Sequence, residues 1–413
     1  MGVYEDRNGA ETAVLPSRGE PIGVTRLALT DFRNYRSARL DLGPGPGPVV
    51  LTGPNGAGKT NLLEAVSVLS PGRGLRNARL GDLDRRHDDE GETTCWAVAA
   101  TIETRRGPVK IGTGRDPAVG LQPTGLSRGG ERRVVRIDGE SARGQAALGE
   151  MLGVSWLTPQ MDRLFIEGPS ARRRFLDRLV LGLDPAHAAR VSAYEHAMRE
   201  RSRLLRDGHL SKGPADATWL DAVEETMAAQ GIAVAAARRD AVEHLDAACA
   251  TATGPFPRAR LGLVGTVEGW LDELPALAVE DRFRAALRAG RAVDAPAGGA
   301  TTGPHRSDLA VTHAEKNIPA EGLSTGEQKA LLISIVLAHA QLQLQTRGEP
   351  PLLLLDEVAA HLDAPRREAL FAALLDLRGQ VWLTGTDAAV FAPLRSAARF
   401  LSVSNGALSE TTF

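Results

Sequence analysis

The short β-branched run Val49-Val50-Leu51 stops at glycine, and a stripe of helical period begins soon after it. Within 61–69 the apolar positions Leu62, Leu63, Val66 and Leu69 fall on one helix face. Upstream, 26–30 and 38–42 alternate as strands do, and the Gly/Pro run 43–48 makes a stiff turn into the next strand. Short strands broken by Arg/Gly turns follow at 95–102, 109–112 and 134–137. From Pro169 to about Arg291 the period becomes helical. Phe175, Leu176, Leu179, Val180 and Leu183 share one stripe, and Asp184-Pro185 supplies a cap and a first-turn proline. Val191, Tyr194, Met198 and Leu205 mark the next helix, and Leu220, Val223, Met227 and Val234 a long third one. Residues 294–300 read as a linker back, and Leu352–Leu355 as a fully buried parallel strand. The pattern predicts an α/β head with an inserted α-helical arm. The divisions are a polar extension over 1–22, head over 23–168, arm over 169–293 and head again over 294–413.

Between the strand at 49–51 and its helix lies Gly53-Pro54-Asn55-Gly56-Ala57-Gly58-Lys59-Thr60, with Asn61 opening the helical stripe. Strand, glycine loop and helix in this order make a phosphate cradle, because curled backbone N–H groups point inward at phosphate oxygens. Lys59 reaches the β- and γ-phosphates, and the Thr60 hydroxyl suits Mg²⁺. The chain holds only five lysines, so one at this position is informative. The expectation is a bound nucleoside triphosphate with Mg²⁺.

The strand at 352–355 ends in Asp356 and Glu357. Read with the loop, Asp356 holds the metal and Glu357 takes a proton from the attacking water. Ser324, Gly326 and Glu327 open a helix carrying Leu331, Leu332, Ile335, Val336 and Leu337. Two readings stand there. Ser324 and Glu327 make a capping box, and a helix N-terminus with a serine hydroxyl is also an anion site. Its position, 32 residues before Asp356 and far downstream of the loop, resembles the signature motif of the ATP-binding-cassette ATPases. In that family this motif closes over the γ-phosphate held by a second subunit. Residues 359–363 resemble the family's D-loop and 381–387 its switch strand, but Thr386 or Asp387 stands where the switch histidine is expected.

Composition narrows the partners. The formal charge is −2, so no global basic field advertises nucleic acid, and arginine outnumbers lysine throughout. Cys95 and Cys249 lie far apart and flank no metal-ligand pattern, which suits a reducing cytosol. No run approaches the roughly 18 uncharged apolar residues of a membrane span, and the N-terminus has no apolar signal core.

Lys59 and Ser324 stand 265 positions apart, too far for a transporter cassette and too near for the long coiled coils of chromosome-maintenance ATPases. Five words in order then resemble the RecF family of DNA replication and repair ATPases. They are Asp31-Phe-Arg-Asn-Tyr35, the loop through Glu64, Gly168-Pro-Ser-Ala-Arg-Arg-Arg-Phe-Leu-Asp177, Thr301-Thr-Gly-Pro-His-Arg-Ser-Asp-Leu309 and Leu323-Ser-Thr-Gly-Glu-Gln-Lys329. Lys329 replaces a common arginine and Gly74 a common serine. The resemblance implies an ABC-type ATPase head and a cytosolic, weak, DNA-stimulated ATPase that forms an ATP-dependent homodimer. It implies binding to gapped or junction DNA, with RecR and RecO as partners in recombinase loading, replication restart and the SOS response. By position it places Arg33 and Asn34 near the nucleotide, with Gln160 as Q-loop and metal candidate.

Where DNA would lie is open. Arg172, Arg173 and Arg174 begin the arm, and Arg199, Arg201, Arg203 and Arg206 recur further along. Phosphate contact by Arg172, Arg173, Arg199 and Arg203 is one reading. A solvated helix face, or for Arg172–Arg174 a pairing with Asp177 or its neighbours, is the other. Few aromatics argue against a stacking platform for single strands. His305 and Arg306, in a strand-like segment, are open to a structural or a catalytic role. Competing functions are a transporter ATPase subunit and a non-hydrolysing ATP-gated scaffold.

Overall fold

A computed structural model of the chain describes residues 22–45, 47–85, 95–116, 132–210, 216–404 and 406–411. The extension expected over 1–22 lies outside these residues except for Ile22.

Two six-stranded sheets form the head. One runs Ala407–Glu410, Arg399–Ser404, Val49–Thr52, Val381–Gly385, Leu352–Leu355, Val154–Leu157, all parallel except the first pair. The other is antiparallel, in the order Tyr35–Asp41, Gly23–Phe32, Ala97–Thr104, Gly107–Arg115, Arg133–Ile137, Glu140–Ser141. The helix Lys59–Ser67 lies between them. Its Leu62, Leu63 and Val66 share one core with Leu27, Leu29, Val98 and Ile111 of the antiparallel sheet and Val49, Leu51, Leu352, Leu354 and Trp382 of the parallel one. The alternate residues Val50, Leu353, Leu355 and Leu383 face the opposite way. They pack with Leu331, Leu332, Ile335 and Val336 of the helix Thr325–Arg347. The near-continuous apolar runs of these parallel strands follow from that double burial, since successive side chains serve opposite layers.

Between the halves of the head the helices are Pro169–Leu183, His187–Leu210, Ala217–Thr251, Thr266–Glu273 and Ala276–Ala297. The segment expected to be helical throughout also holds the strand Ala259–Val264. That strand pairs antiparallel with Asp308–His313, binding the arm's sequence to the returning head segment. The expected linker at 294–300 is shorter than its composition suggested. The last helix continues to Ala297 and closes on Gly298 at φ 75°. The cause is Asp294, which is buried and lies 2.8 Å from the fully buried Arg201 guanidinium, itself 2.8 Å from Glu224. An arginine buried this deeply persists only when paired.

Candidate nucleotide site

The loop at 53–60 joins the strand Val49–Thr52 to the helix Lys59–Ser67, the geometry its sequence predicts. Two glycines are required. Gly53 has φ 150°, and a Cβ there would collide with the Val403 carbonyl of the neighbouring strand. Gly58 has φ 115°, and a Cβ would sit 2.6 Å from Asn34 Nδ2 and 2.8 Å from the Tyr35 hydroxyl. Lys59 is buried, its Nζ donating to the carbonyls of Gly53 at 2.7 Å and Pro54 at 2.9 Å. Burial lowers the Lys59 pKa, partly offset by the charges of Glu357 and Asp356.

The hairpin turn after Phe32 clamps this loop from one side. Tyr35 donates its hydroxyl to Gly58 O at 2.9 Å, and Asn34 Nδ2 reaches Ala57 O at 3.3 Å. Asn61 in turn donates to Asn34 Oδ1 at 2.8 Å. Arg33 stands one step back. Its fork holds Glu64 at 2.9 and 2.8 Å, and its third nitrogen donates to Asp82 O at 2.7 Å. Arg33 thus positions the turn against the loop helix, with every guanidinium nitrogen engaged. Its backbone has φ 55°, a conformation costing about 1–3 kcal/mol that the paired fork offsets. Glu64, fully buried, is also 2.9 Å from Arg76. Residue pattern did not single out Glu64, because it falls on the helix face opposite the apolar stripe, where an acid reads as solvated.

Across the parallel sheet, Asp356 leaves the strand Leu352–Leu355 beside the loop helix. The Thr60 hydroxyl is 3.0 Å from each Asp356 carboxylate oxygen. The buried Thr384 hydroxyl donates to Asp356 Oδ1 at 2.7 Å and accepts from the Glu357 N–H at 2.9 Å. Glu357 sits at φ 54°. Burial raises the Asp356 pKa, opposed by the hydrogen bonds from Thr384 and Thr60. Thr384 therefore contacts both acids from the next strand. Thr386 and Asp387, considered at the sequence level, are both exposed, and Asp387 caps the following turn through Ala389 N at 2.9 Å.

Ser324 caps the 23-residue helix Thr325–Arg347, and Ser324, Thr325 and Gly326 are exposed. Glu327 accepts from Ser324 N at 3.0 Å and Oγ at 2.6 Å, so the capping box is real. Hydrogen bonds from Lys316 and from Ser324 hold the Glu327 carboxyl down at about 2. One turn further, the largely buried Lys329 is 3.5 Å from Asp162. That contact links this helix to the turn Pro159–Arg163, which carries Gln160. Gln160 is exposed, just past the strand Val154–Leu157 whose last carbonyl accepts from Asp356 N at 2.9 Å. In the D-loop segment, Asp363 caps the helix Ala364–Asp376.

A family model described as the RecF/RecN/SMC N-terminal domain matches residues 23–408. The DNA replication and repair protein RecF of Mesorhizobium japonicum is 50% identical over 391 residues, covering 94% of this chain and 98% of its own length. The chain belongs to the RecF family. RecF of Brucella suis is 48% identical over 395 residues, covering 95% of this chain and 97% of its own. A solved structure of the recombination mediator protein RecF with ATP, of the RecFOR pathway, superimposes with a TM-score of 0.78. It is 21% identical and covers 95% of this chain and 98% of its own, which establishes the fold. With RecF relatives matched along nearly the whole chain, the transporter alternative is not retained.

The arm arginines divide. The fork of Arg172 is bidentate on Asp308 at 2.7 Å, with its third nitrogen on the carbonyls of Phe165 at 3.2 Å and Glu167 at 2.5 Å. Arg173 donates to Ser307 O at 2.7 Å. Both stitch the arm to the returning head strand, so the phosphate role expected of Arg172 and Arg173 gives way to a structural one. The partner of Arg172 is Asp308, not Asp177, which instead binds Arg238 at 2.7 Å and His187 at 2.8 Å. Arg199 and Arg203 are exposed and pair along their own helix, Arg199 with Glu195 at 3.4 Å and Arg203 with Glu200 at 2.6 Å. His305 lies in a 3₁₀ turn, Pro304–Arg306, and not in a strand. Its ring bridges the Tyr194 hydroxyl at 2.7 Å and Ala300 O at 2.8 Å, a structural placement.

Proposed function

We propose that this chain is an ATP-gated clamp of DNA replication and repair. It closes as a homodimer on gapped or junction DNA and hydrolyses ATP weakly, stimulated by that DNA. The observation that carries the reading is the Thr60 hydroxyl lying 3.0 Å from both oxygens of Asp356, with Glu357 next in the chain. A hydroxyl and a carboxylate are hard oxygen donors that suit Mg²⁺. Thr60 and Asp356 would hold the ion, with Gln160 a further oxygen, and when bound it would neutralise phosphate charge.

Lys59 exchanges its two loop carbonyls for the β- and γ-phosphates, and the curled backbone N–H groups of 53–60 hold the remaining oxygens. Glu357 accepts a proton from water as that oxygen attacks the γ-phosphorus. The bond to the β–γ bridging oxygen breaks, and ADP and phosphate leave. Ser324 and Gly326 are exposed at the N-terminus of their helix, where they are free to close over the phosphate held by a second copy. The head spans 23–168 and 294–413, the arm 169–293, and RecR and RecO are the proposed partners. The proposed location is the cytoplasm. Among the described residues no helix is long and apolar enough to cross a membrane.

The test is to size the chain with ATP, with ADP and without nucleotide, each with and without gapped DNA. A dimer specific to ATP, retained and turned over faster on gapped DNA, is expected. A monomer in all six conditions would remove the clamp.

A further inference from the structure

The antiparallel sheet of the head has two unlike faces. Leu27, Leu29, Val98, Ile102 and Ile111 point inward to the core behind the nucleotide-loop helix. The outer face is bare, and its strand register sets the residues in rows. Across five strands one row reads Arg39, Ala28, Ala99, Gly112, Arg136. The next reads Asp41, Arg26, Thr101, Lys110. Arginines thus stand at both ends of a floor made of Ala28, Ala99 and Gly112. Together these residues line a shallow depression of about 670 Å³.

The charge of this face is not internally balanced. Asp41 is taken by Arg26 at 3.1 Å, an exposed pair of little energetic weight. Glu103 lies toward one end of the face, beside Pro108, and Asp138, at the edge, accepts from the Lys110 backbone N–H at 2.8 Å. Arg39, Lys110 and Arg136 are exposed and have no ion pair among the described residues. With Asp41, Glu103 and Asp138 set against Arg26, Arg39, Lys110 and Arg136, the face keeps a net charge of +1 in a chain of net charge −2, and its unpaired cations stand around a smooth floor.

We infer that this face is a docking surface for the sugar–phosphate backbone of duplex DNA. The inference rests on the DNA-clamp reading and names the surface that reading leaves unassigned. Neighbouring strands lie about 4.8 Å apart, so Arg39 and Arg136, four spacings apart, are separated by about 19 Å at their backbones. That span lets them meet phosphates on both sides of a major groove about 12 Å wide. The floor has no long side chain to hold the duplex away. Thr30, Ser37 and Thr101 offer hydroxyls, and no aromatic lies on the rows, so there is no platform on which single-strand bases could stack. Contact of this kind reads the backbone and not the sequence.

The experiment compares the full-length chain with an Arg39→Glu/Arg136→Glu variant and an Arg39→Lys/Arg136→Lys variant. An Arg199→Glu/Arg203→Glu variant on the arm serves as control. Binding of a 30-base-pair duplex is measured by fluorescence anisotropy across a salt series with ATP, and ATP-dependent dimerisation by sizing. The sheet charge reversal is expected to weaken duplex binding at least tenfold, with dimerisation intact. The log–log salt slope should shrink by about two, close to 0.9 for each phosphate no longer neutralised. The lysine variant should bind within about threefold of wild type, because a backbone phosphate accepts either cation. Wild-type affinity in the charge-reversed sheet variant, or loss confined to the arm variant, overturns the assignment while leaving the clamp standing. Loss of single-strand but not duplex binding overturns it too. A wild-type chain that binds no DNA in any nucleotide state would instead sink the clamp reading itself.

Discussion

The Thr384 hydroxyl donates to Asp356 at 2.7 Å while receiving the Glu357 N–H at 2.9 Å. One side chain on the strand Val381–Gly385 therefore fixes both acids at the end of the neighbouring strand. Hydrogen bonds to charged groups contribute about 1.5–3 kcal/mol. Thr384→Val should lower kcat for ATP hydrolysis by about 10- to 100-fold with little change in KM, and Thr384→Ser should restore most of it. Steady-state phosphate release checks this, and an unchanged kcat in the valine variant would confine Thr384 to packing.

Burial raises the pKa of Asp356, so the folded chain binds that proton more tightly than the unfolded chain does. The stabilisation linked to this group is present at acid pH and is lost as pH rises through the folded pKa. Above the folded pKa the nucleotide-free protein carries Asp356 as a buried charge, and there Asp356→Asn should raise its thermal midpoint. The difference should narrow as pH falls, as thermal melts over a series from neutral to acid pH would register.

Ser324 and Lys59 belong to opposite halves of the proposed composite site. Ser324→Arg and Lys59→Ala should each abolish ATP-dependent dimers when alone. An equimolar mixture should recover heterodimers, because pairing the two variants rebuilds one of two sites. Light scattering on the mixture decides it, and monomers throughout would show that the sites do not act across copies.

Glu357→Gln keeps the shape of the side chain and removes its basicity. The variant should bind ATP, dimerise, and stay dimeric for far longer than wild type, with phosphate release reduced at least 100-fold. Turnover at the wild-type rate would take Glu357 out of the base role.

Glu64 is fully buried between Arg33 and Arg76 at 2.8 and 2.9 Å. Glu64→Ala removes the carboxylate that both guanidinium groups share behind the loop, and because both arginines are partly exposed the cost is about 1.5–3 kcal/mol. A fall in thermal midpoint with weaker ATP binding is expected. A melt matching wild type would mean the arginines find water instead.

The glycine loop between strand and helix, the strand ending in two acids and the serine-capped helix at 325–347 were all legible in the sequence as local structure. Each depends on backbone geometry within a few residues: glycines that curl, an apolar run that stops, a serine that caps. The arm's helices were legible by period, and RecF-like words in order carried the family. Long-range pairing was not legible in this way. Thr384 meets Asp356 across 28 positions, and Arg172 meets Asp308 across 136. Arg201 reaches Asp294, in a stretch that read as linker. A buried charge is tolerated only beside its partner, and sequence spacing does not say which of many acids that partner is. The same holds for the bare sheet face. Arg39 and Arg136 are ordinary exposed arginines in the sequence, and only strand register sets them at the two ends of one row.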